Sequence, residues 1–297
     1  MAEQELKAAV VQMNSRNDPG TNLDSALSLM KKAVLEQSVN LIVLPENFLY
    51  FGRDGLAAVA SLLDDYLNPI CSFAKLHQVT VVAGSVPHKV NVPLSGLGLG
   101  QQTCVSTSLE TTDVNVSIPA ERFFSRSLVI ASTGKLVGAY DKCHLFDVDV
   151  DDGFSSYRES ATYQAGRECV VLDNDSMKIG LSICYDLRFP ELYQNLAKMG
   201  AQLITVPSAF TAVTGKAHWE VLLRARAIET QSFVLAANQW GEHGKGRETW
   251  GHSMIIDPWG KVLAECESGV GYCVANINLC ELEQVRRAIP VQQHKVF

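Results

Sequence analysis

A thiol, a carboxylate and an ammonium stand in similar local settings at three places in this sequence. Cys184 closes the apolar run 179–183 and is followed by Tyr185, Asp186, Arg188 and Phe189, then by Pro190-Glu191. A proline and an acid suit a first helical turn, because proline has no donor to waste there and the acid meets the positive end of the helix dipole. Cys184 is therefore expected on a sharp turn between a strand and a helix. Glu46 directly follows the apolar segment 41–45, and Lys142 lies just past the segment 136–140. Taken singly, each has an ordinary reading: a small buried hydrophobe, a loop acid, a solvated lysine. Taken together they form a set for acyl transfer. A thiolate attacks a carbonyl-like carbon. A carboxylate takes the thiol proton and returns it to a leaving amine. An ammonium stabilises the oxyanion. Lys142 nearby favours a thiolate and burial opposes it, a balance the sequence leaves open.

Such residues need elements that bring them together. Segments 7–13, 40–44 and 79–84 are mostly apolar without alternation, as strands buried on both faces are. Between them, Thr21 is expected to cap a helix with Leu23, Ala26, Leu27, Met30, Ala33 and Val34 on one face. Residues 55–77 read as a second helical stretch, broken near Pro69. This alternation implies a largely parallel sheet covered by helices. Residues 87–121 lack a helical period and read as an inserted loop or hairpin; Leu97-Gly-Leu-Gly100 has no strand-to-helix setting and is no phosphate loop. Strands are expected at 127–131, 135–140, 168–172 and 177–183, with an acidic loop at 147–158. A helix to 199, strand 202–206, helix 216–230 and strands 233–237, 253–256, 261–265 and 272–277 follow. A last helix, 282–288, stops before Pro290. No linker or fixed-period repeat is visible. The chain reads as one α/β domain over 1–297, two similar halves packed sheet on sheet as a four-layer α/β/β/α sandwich. In open α/β sheets, ligands collect beyond the carboxyl ends of strands. Glu46, Lys142 and Cys184 all stand there.

Composition narrows the partners. With 25 Lys and Arg against 32 Asp and Glu, the net charge is -7, which argues against nucleic acid. No apolar run reaches the roughly 18 residues of a membrane span. The polar opening residues resemble no signal peptide. Eight cysteines occur without Cys-x-x-Cys or a zinc-type His spacing, so free thiols in a reducing cytoplasm are expected, with no metal. Asn115-Val116-Ser117 is read as a chance glycosylation pattern.

Pro45-Glu46-Asn47, the segment 141–146 around Lys142, and the segment 184–191 resemble the Glu, Lys and Cys motifs of the nitrilase superfamily, the carbon–nitrogen hydrolases. The resemblance runs from Lys7 to about Pro290 in the family's order and intervals. Segments 208–220, 224–231 and 246–254 resemble the branch that contains deaminated glutathione amidases; the sibling ω-amidases share the triad motifs. The resemblance implies an α/β/β/α sandwich, a homodimer or larger homo-oligomer joined through the helix 224–231, and no cofactor. Residue by residue, it makes Glu46 the general base and acid, Lys142 the oxyanion donor and Cys184 the nucleophile. The Tyr185 N–H becomes the second oxyanion donor, and Glu159, in Glu159-Ser160, orients Lys142 and the amide. Arg188, Phe210 and Thr211 join Tyr185 in substrate binding. The implied substrate is a small carboxylate-bearing amide, deaminated glutathione, cleaved to 2-oxoglutarate and cysteinylglycine. An ω-amidase acting on 2-oxoglutaramate, a nitrile or carbamoyl hydrolase on the same fold, and a catalytically silent interaction protein stand beside it. An anionic substrate meets a chain of net charge -7, so local cations must line the pocket. Arg188 is the first candidate, against a structural pairing with Glu191 or Asp186, and Lys216, Lys245 and Arg247 stand in the loops of the branch motifs. Two departures from the family are the length of 87–121 and Ser125, where an Asn is usual.

Overall fold

The computed structural model describes residues 6–92, 122–150, 156–174, 177–244 and 246–296. The first half comprises β1 (Leu6–Gln12), α1 (Pro19–Gln37), β2 (Leu41–Val43), α2 (Leu56–Ser61), α3 (Leu63–His77), β3 (Thr80–Lys89), β4 (Phe123–Ile130) and β5 (Leu136–Asp141). A small antiparallel pair, β6 (Asp147–Val148) and β7 (Tyr157–Arg158), follows. The second half comprises β8 (Val171–Asn174), β9 (Met177–Leu181), α4 (Pro190–Lys198), β10 (Leu203–Thr205), α5 (Ala212–Thr230) and β11 (Phe233–Ala236). It continues through β12 (Trp240–Glu242), β13 (Glu248–Trp250), β14 (Met254–Ile256), β15 (Val262–Glu265), β16 (Gly271–Ile277) and α6 (Leu279–Ala288).

The halves repeat one topology. One six-stranded sheet runs β16-β1-β2-β3-β4-β5 and the other β8-β9-β10-β11-β14-β15. In each, three central strands are parallel, one antiparallel strand flanks them on one side and two on the other. The sheets are therefore mixed; the largely parallel expectation holds only for each central triplet, where helices make the crossovers.

Burial explains the continuous apolar runs. Ala8 and Val10 of β1 face the other sheet, in a core with Ile179, Leu181 and Leu203. Ala9 and Val11 turn the other way, onto Met30 and Ala33 of α1 and Leu67 and Ile70 of α3. Both parities are buried, so no alternation is seen. Trp219, Leu223 and Ala227 of α5 and Leu192, Tyr193 and Leu196 of α4 cover the second sheet. The layers are helices, sheet, sheet, helices. No helix among the described residues is long and apolar enough to cross a membrane.

Several boundaries differ from the sequence reading for local reasons. Asp18, not Thr21, caps α1: its Oδ1 accepts the Gly20 and Thr21 N–H groups, with Pro19 in the first turn. The helical stretch 55–77 breaks at Leu62 rather than at Pro69; α3 runs through the proline, and burial of Ile70, Phe73 and Ala74 offsets the lost bond. Residues 87–89 belong to β3 and pair with Phe123, Phe124 and Ser125. The remainder of the inserted segment from 93 to 121, with Leu97–Gly100 and Asn115, lies outside the described residues, as does Lys245. The acidic stretch 147–158 contains the β6–β7 pair. α5 starts at Ala212, which puts Lys216 in a helix, not a loop, and α6 starts at Leu279, capped by Asn278. The β12–β13 hairpin was not expected.

Two glycines permit close backbone approaches behind the site. At Gly84 in β3, a Cβ would lie 1.9 Å from the Pro45 carbonyl oxygen, next to Glu46. At Gly166, a Cβ would lie 2.2 Å from the Asp141 carbonyl oxygen, and the Gly166 N–H donates to Lys142 O at 2.8 Å. Gly84→Ala should push the Pro45–Glu46 segment off β3. Overpacking of this kind lowers stability by about 1–3 kcal/mol, read in a denaturant titration. An unchanged midpoint would show that this backbone yields freely.

Candidate active site

The structure brings Glu46, Lys142, Glu159 and Cys184 into one cleft. Lys142 Nζ donates to Glu46 Oε1 at 2.8 Å and to Glu159 Oε1 and Oε2 at 3.0 and 2.9 Å. Glu159 Oε2 also accepts the Phe146 N–H at 2.6 Å, which ties the segment after Lys142 to the same acid. The Cys184 thiol lines the same cleft, close enough to the Glu46 carboxylate and the Ala209 N–H for both to act on its proton affinity. Lys142 and Cys184 are buried, 2% and 8% exposed.

Each residue stands just beyond a strand, and its loop is held from elsewhere. Glu46 follows β2; its carbonyl accepts Gln239 Nε2 at 3.0 Å, and Gln239 is itself fixed by Ser15. The Asn47 N–H donates to Ser85 Oγ at 3.0 Å. Lys142 follows β5, and its N–H donates to the carbonyl of Ser125 at 3.0 Å, so Ser125 meets the lysine through backbone. Cys184 opens a 3-10 turn, Cys184–Arg188, with φ 46°, in the left-handed region that a side chain seldom adopts. Its N–H donates to Pro207 O at 2.9 Å.

Asp186 joins the thiol turn to the ammonium loop. It is fully buried. Its Oδ2 accepts the Ile183 N–H at 2.9 Å and the Tyr140 hydroxyl at 2.7 Å. Its Oδ1 accepts the His144 N–H at 3.0 Å and lies 2.7 Å from His144 Nδ1. Tyr140 and His144 flank Lys142 in sequence, so a single carboxylate sets the turn before Cys184 and both sides of Lys142. His144 also stacks on Phe189 with ring centroids 3.7 Å apart. Sequence reading gave Asp186 only a possible pairing with Arg188; its partners show no local signal.

The electrostatics favour a charged lysine and a protonated thiol. Burial opposes the Lys142 charge, but Glu159 and then Glu46 outweigh it and hold its pKa well above the ordinary lysine value. Burial, and then the Glu46 charge, push the Cys184 thiol well above the ordinary range, against the pull of Lys142. The open balance thus falls on the side of burial. Burial also raises Glu159, against Lys142.

The cleft holds about 780 Å³ of open space, solvent at its mouth included. Tyr185, Arg188, Phe210 and Thr211 line it, and the sequence reading placed all of them there. Arg188 has no ion pair with Glu191 or Asp186; it bonds His218 Nδ1 at 3.2 Å and lies over Phe210 and Tyr185, 5.1 and 6.0 Å from their centroids. Thr211 also caps α5 through Thr214. Sequence reading missed Phe51, Phe146, Tyr157 and Tyr163, which form much of the apolar lining. Among the described residues, no group of three or more His, Cys, Asp and Glu side chains is placed to hold a metal.

Comparison with known proteins supports one family. The family model described as "Carbon-nitrogen hydrolase" matches residues 7–287. A deaminated glutathione amidase from Synechocystis sp. is 41% identical over 98% of this chain and 98% of its own length. One from Dictyostelium discoideum is 36% identical over 96% and 91%. Among solved structures, the Caenorhabditis elegans NitFhit protein superposes with a TM-score of 0.83 at 35% identity; the chain is covered in full and spans 66% of that protein. Saccharomyces cerevisiae Nit3, a member of branch 10 of the nitrilase superfamily, gives a TM-score of 0.80 at 27% identity over 99% and 97%.

The raised thiol can be checked directly. Glu46 is one of the charges that raise it, so Glu46→Gln should bring the Cys184 thiolate in at lower pH than in the unsubstituted chain. Ultraviolet thiolate absorbance reads this, each protein corrected by its Cys184→Ala counterpart to remove the other cysteines. Coincident titrations would mean that the Glu46 charge does not reach the sulfur.

Proposed function

The chain belongs to the carbon–nitrogen hydrolase family, enzymes of non-peptide carbon–nitrogen bonds, and from that premise we propose a cysteine-dependent amidase with Cys184 as nucleophile. The observation that carries the reading is the buried Lys142 ammonium between Glu46 and Glu159, beside the Cys184 thiol. A thiol held protonated needs a base at contact, and Glu46 is that base. Glu46 takes the thiol proton as Sγ attacks the amide carbon. The oxyanion is met by Lys142 Nζ and the Tyr185 N–H. Glu46 then protonates the nitrogen, the carbon–nitrogen bond breaks, and the amine leaves a thioester on Cys184. Glu46 next deprotonates a water that attacks the thioester; the carboxylic acid leaves and the thiol regains its proton. Glu159, with both oxygens on Nζ, positions the ammonium.

The substrate we propose is a small carboxylate-bearing amide, most specifically deaminated glutathione. The deaminated glutathione amidases among the relatives support it, and so do cleft-lining Arg188 and Arg247 in a chain of net charge -7. Arg188 would hold a substrate carboxylate, its fork being free of any acid among the described residues. We further propose a cytoplasmic homo-oligomer. The cysteines among the described residues are free thiols, and Val221 and Ile228 of α5, with Trp259 beyond it, are exposed. Arg226, within the helix 224–231, is buried and donates to Leu187 O inside the chain.

Cys184→Ala should abolish turnover of a small amide panel followed by mass spectrometry, while Cys143→Ala and Cys169→Ala keep most of it. Glu46→Gln should lower the rate by about 10²–10⁴-fold and Lys142→Ala by about 10²–10³-fold. Losses below tenfold in folded protein would remove those roles. Faster turnover of 2-oxoglutaramate than of deaminated glutathione would move the chain to the ω-amidase reading. For assembly, light scattering should give at least twice the mass of one chain; a monomer at micromolar concentration would refute it.

A further inference from the structure

Arg247 is a cation in the cleft with no ion pair among the described residues. It lies in the turn between β12 and β13, where its carbonyl accepts the His243 N–H at 2.8 Å and its N–H donates to Gly244 O at 3.2 Å. Its guanidinium sits over the Phe51 ring, 4.3 Å from the centroid, and 5.6 Å from that of Tyr157. Phe51 stacks in turn on His243, centroids 4.0 Å apart. His243 is fixed through Ser15 O and Thr249 Oγ1 at 2.8 and 2.6 Å. Burial, with the Arg247 charge, pulls the His243 pKa down to about 4, so the ring is neutral near pH 7. The platform under the guanidinium is therefore rigid and uncharged.

The Nε of Arg247 is buried, and among the described residues it has no hydrogen-bond partner. Leaving such a donor unmet is unfavourable, and more so on a charged group. A carboxylate that reaches Nε would remove that penalty, since the planar fork donates two parallel hydrogen bonds to it. Arg158, by contrast, is engaged by Asp149 and by the carbonyls of Val148 and Tyr157. Arg188 bonds His218 and lies over Phe210 and Tyr185, whereas Arg247 lies over Phe51 and Tyr157. Between them runs an aromatic series in which Tyr157 meets Phe146, and Phe146 meets Tyr185, each at 5.0 Å between centroids. The two guanidiniums are thus seated on different rings of one cleft wall.

We propose that Arg247 is a second anion-binding residue, distinct from Arg188, so that the cleft selects amides carrying a carboxylate on each side of the scissile bond. This rests on the amidase reading above for the bond, but not for the binding. The test has two arms. In the first, deaminated glutathione is titrated calorimetrically into the Cys184→Ala chain. Adding Arg247→Met should weaken binding about 10–100-fold, and Arg247→Lys should restore part of it. Unchanged affinity in Arg247→Met overturns the proposal. In the second, turnover is measured on an amide with a carboxylate only on the acyl side, one with it only on the amine side, and a neutral one. Arg247→Met should raise KM most for one mono-anionic amide and Arg188→Leu most for the other, with the neutral amide least affected. Equal KM losses on all three amides, or loss of the same amide by both variants, also overturn it. The first arm needs no turnover, so a chain that hydrolyses nothing would sink the amidase reading and still decide the role of Arg247.

Discussion

A buried ammonium survives in a protein only where its charge is answered at contact, because desolvation otherwise neutralises it. In this fold, Lys142 is answered twice, by Glu46 at 2.8 Å and by Glu159 at 2.9 Å. That requirement fixes more than three side chains. It sets the end of β2 against the end of β5 and draws the short turn after β7 over both. Gly84 and Gly166 give the backbone room to come that close. Removing one acid would leave a mismatch of charge in a place largely shut off from bulk water.

The second sheet enters through Asp186. Its partners, Ile183, His144 and Tyr140, lie 3, 42 and 46 residues away in sequence. Through them the thiol turn and the ammonium loop become one hydrogen-bonded unit across two sheets. The halves share a strand order, but the groups at their strand ends differ. The first contributes an acid and a cation, the second a thiol. The chemistry thus belongs to the packing of the halves and to neither alone.

Much of this was legible in the sequence. Apolar runs marked the central strands; charges just past two of them marked Glu46 and Lys142, and the charged, aromatic segment that follows the thiol marked Cys184. The family motifs supplied Glu159, Tyr185 and Arg188. What was illegible depends on distant partners or on competing caps. Asp18 outbids Thr21 because its carboxylate reaches two N–H groups at once. Pro69 leaves its helix intact because packing outweighs one hydrogen bond. The β12–β13 hairpin is short and partly polar, so no period announces it, yet it carries Arg247 to the cleft. Asp186 looked like any acid beside an arginine.

The left-handed backbone at Cys184 has an evolutionary corollary. An L side chain there costs about 1–2 kcal/mol relative to glycine, which has no Cβ to crowd the following carbonyl. The residue proposed as nucleophile sits where the chain tolerates it least. Selection for robustness and selection for reactivity therefore pull position 184 in opposite directions. In a lineage released from catalysis, that position would be among the first to relax, and glycine would be its natural resident.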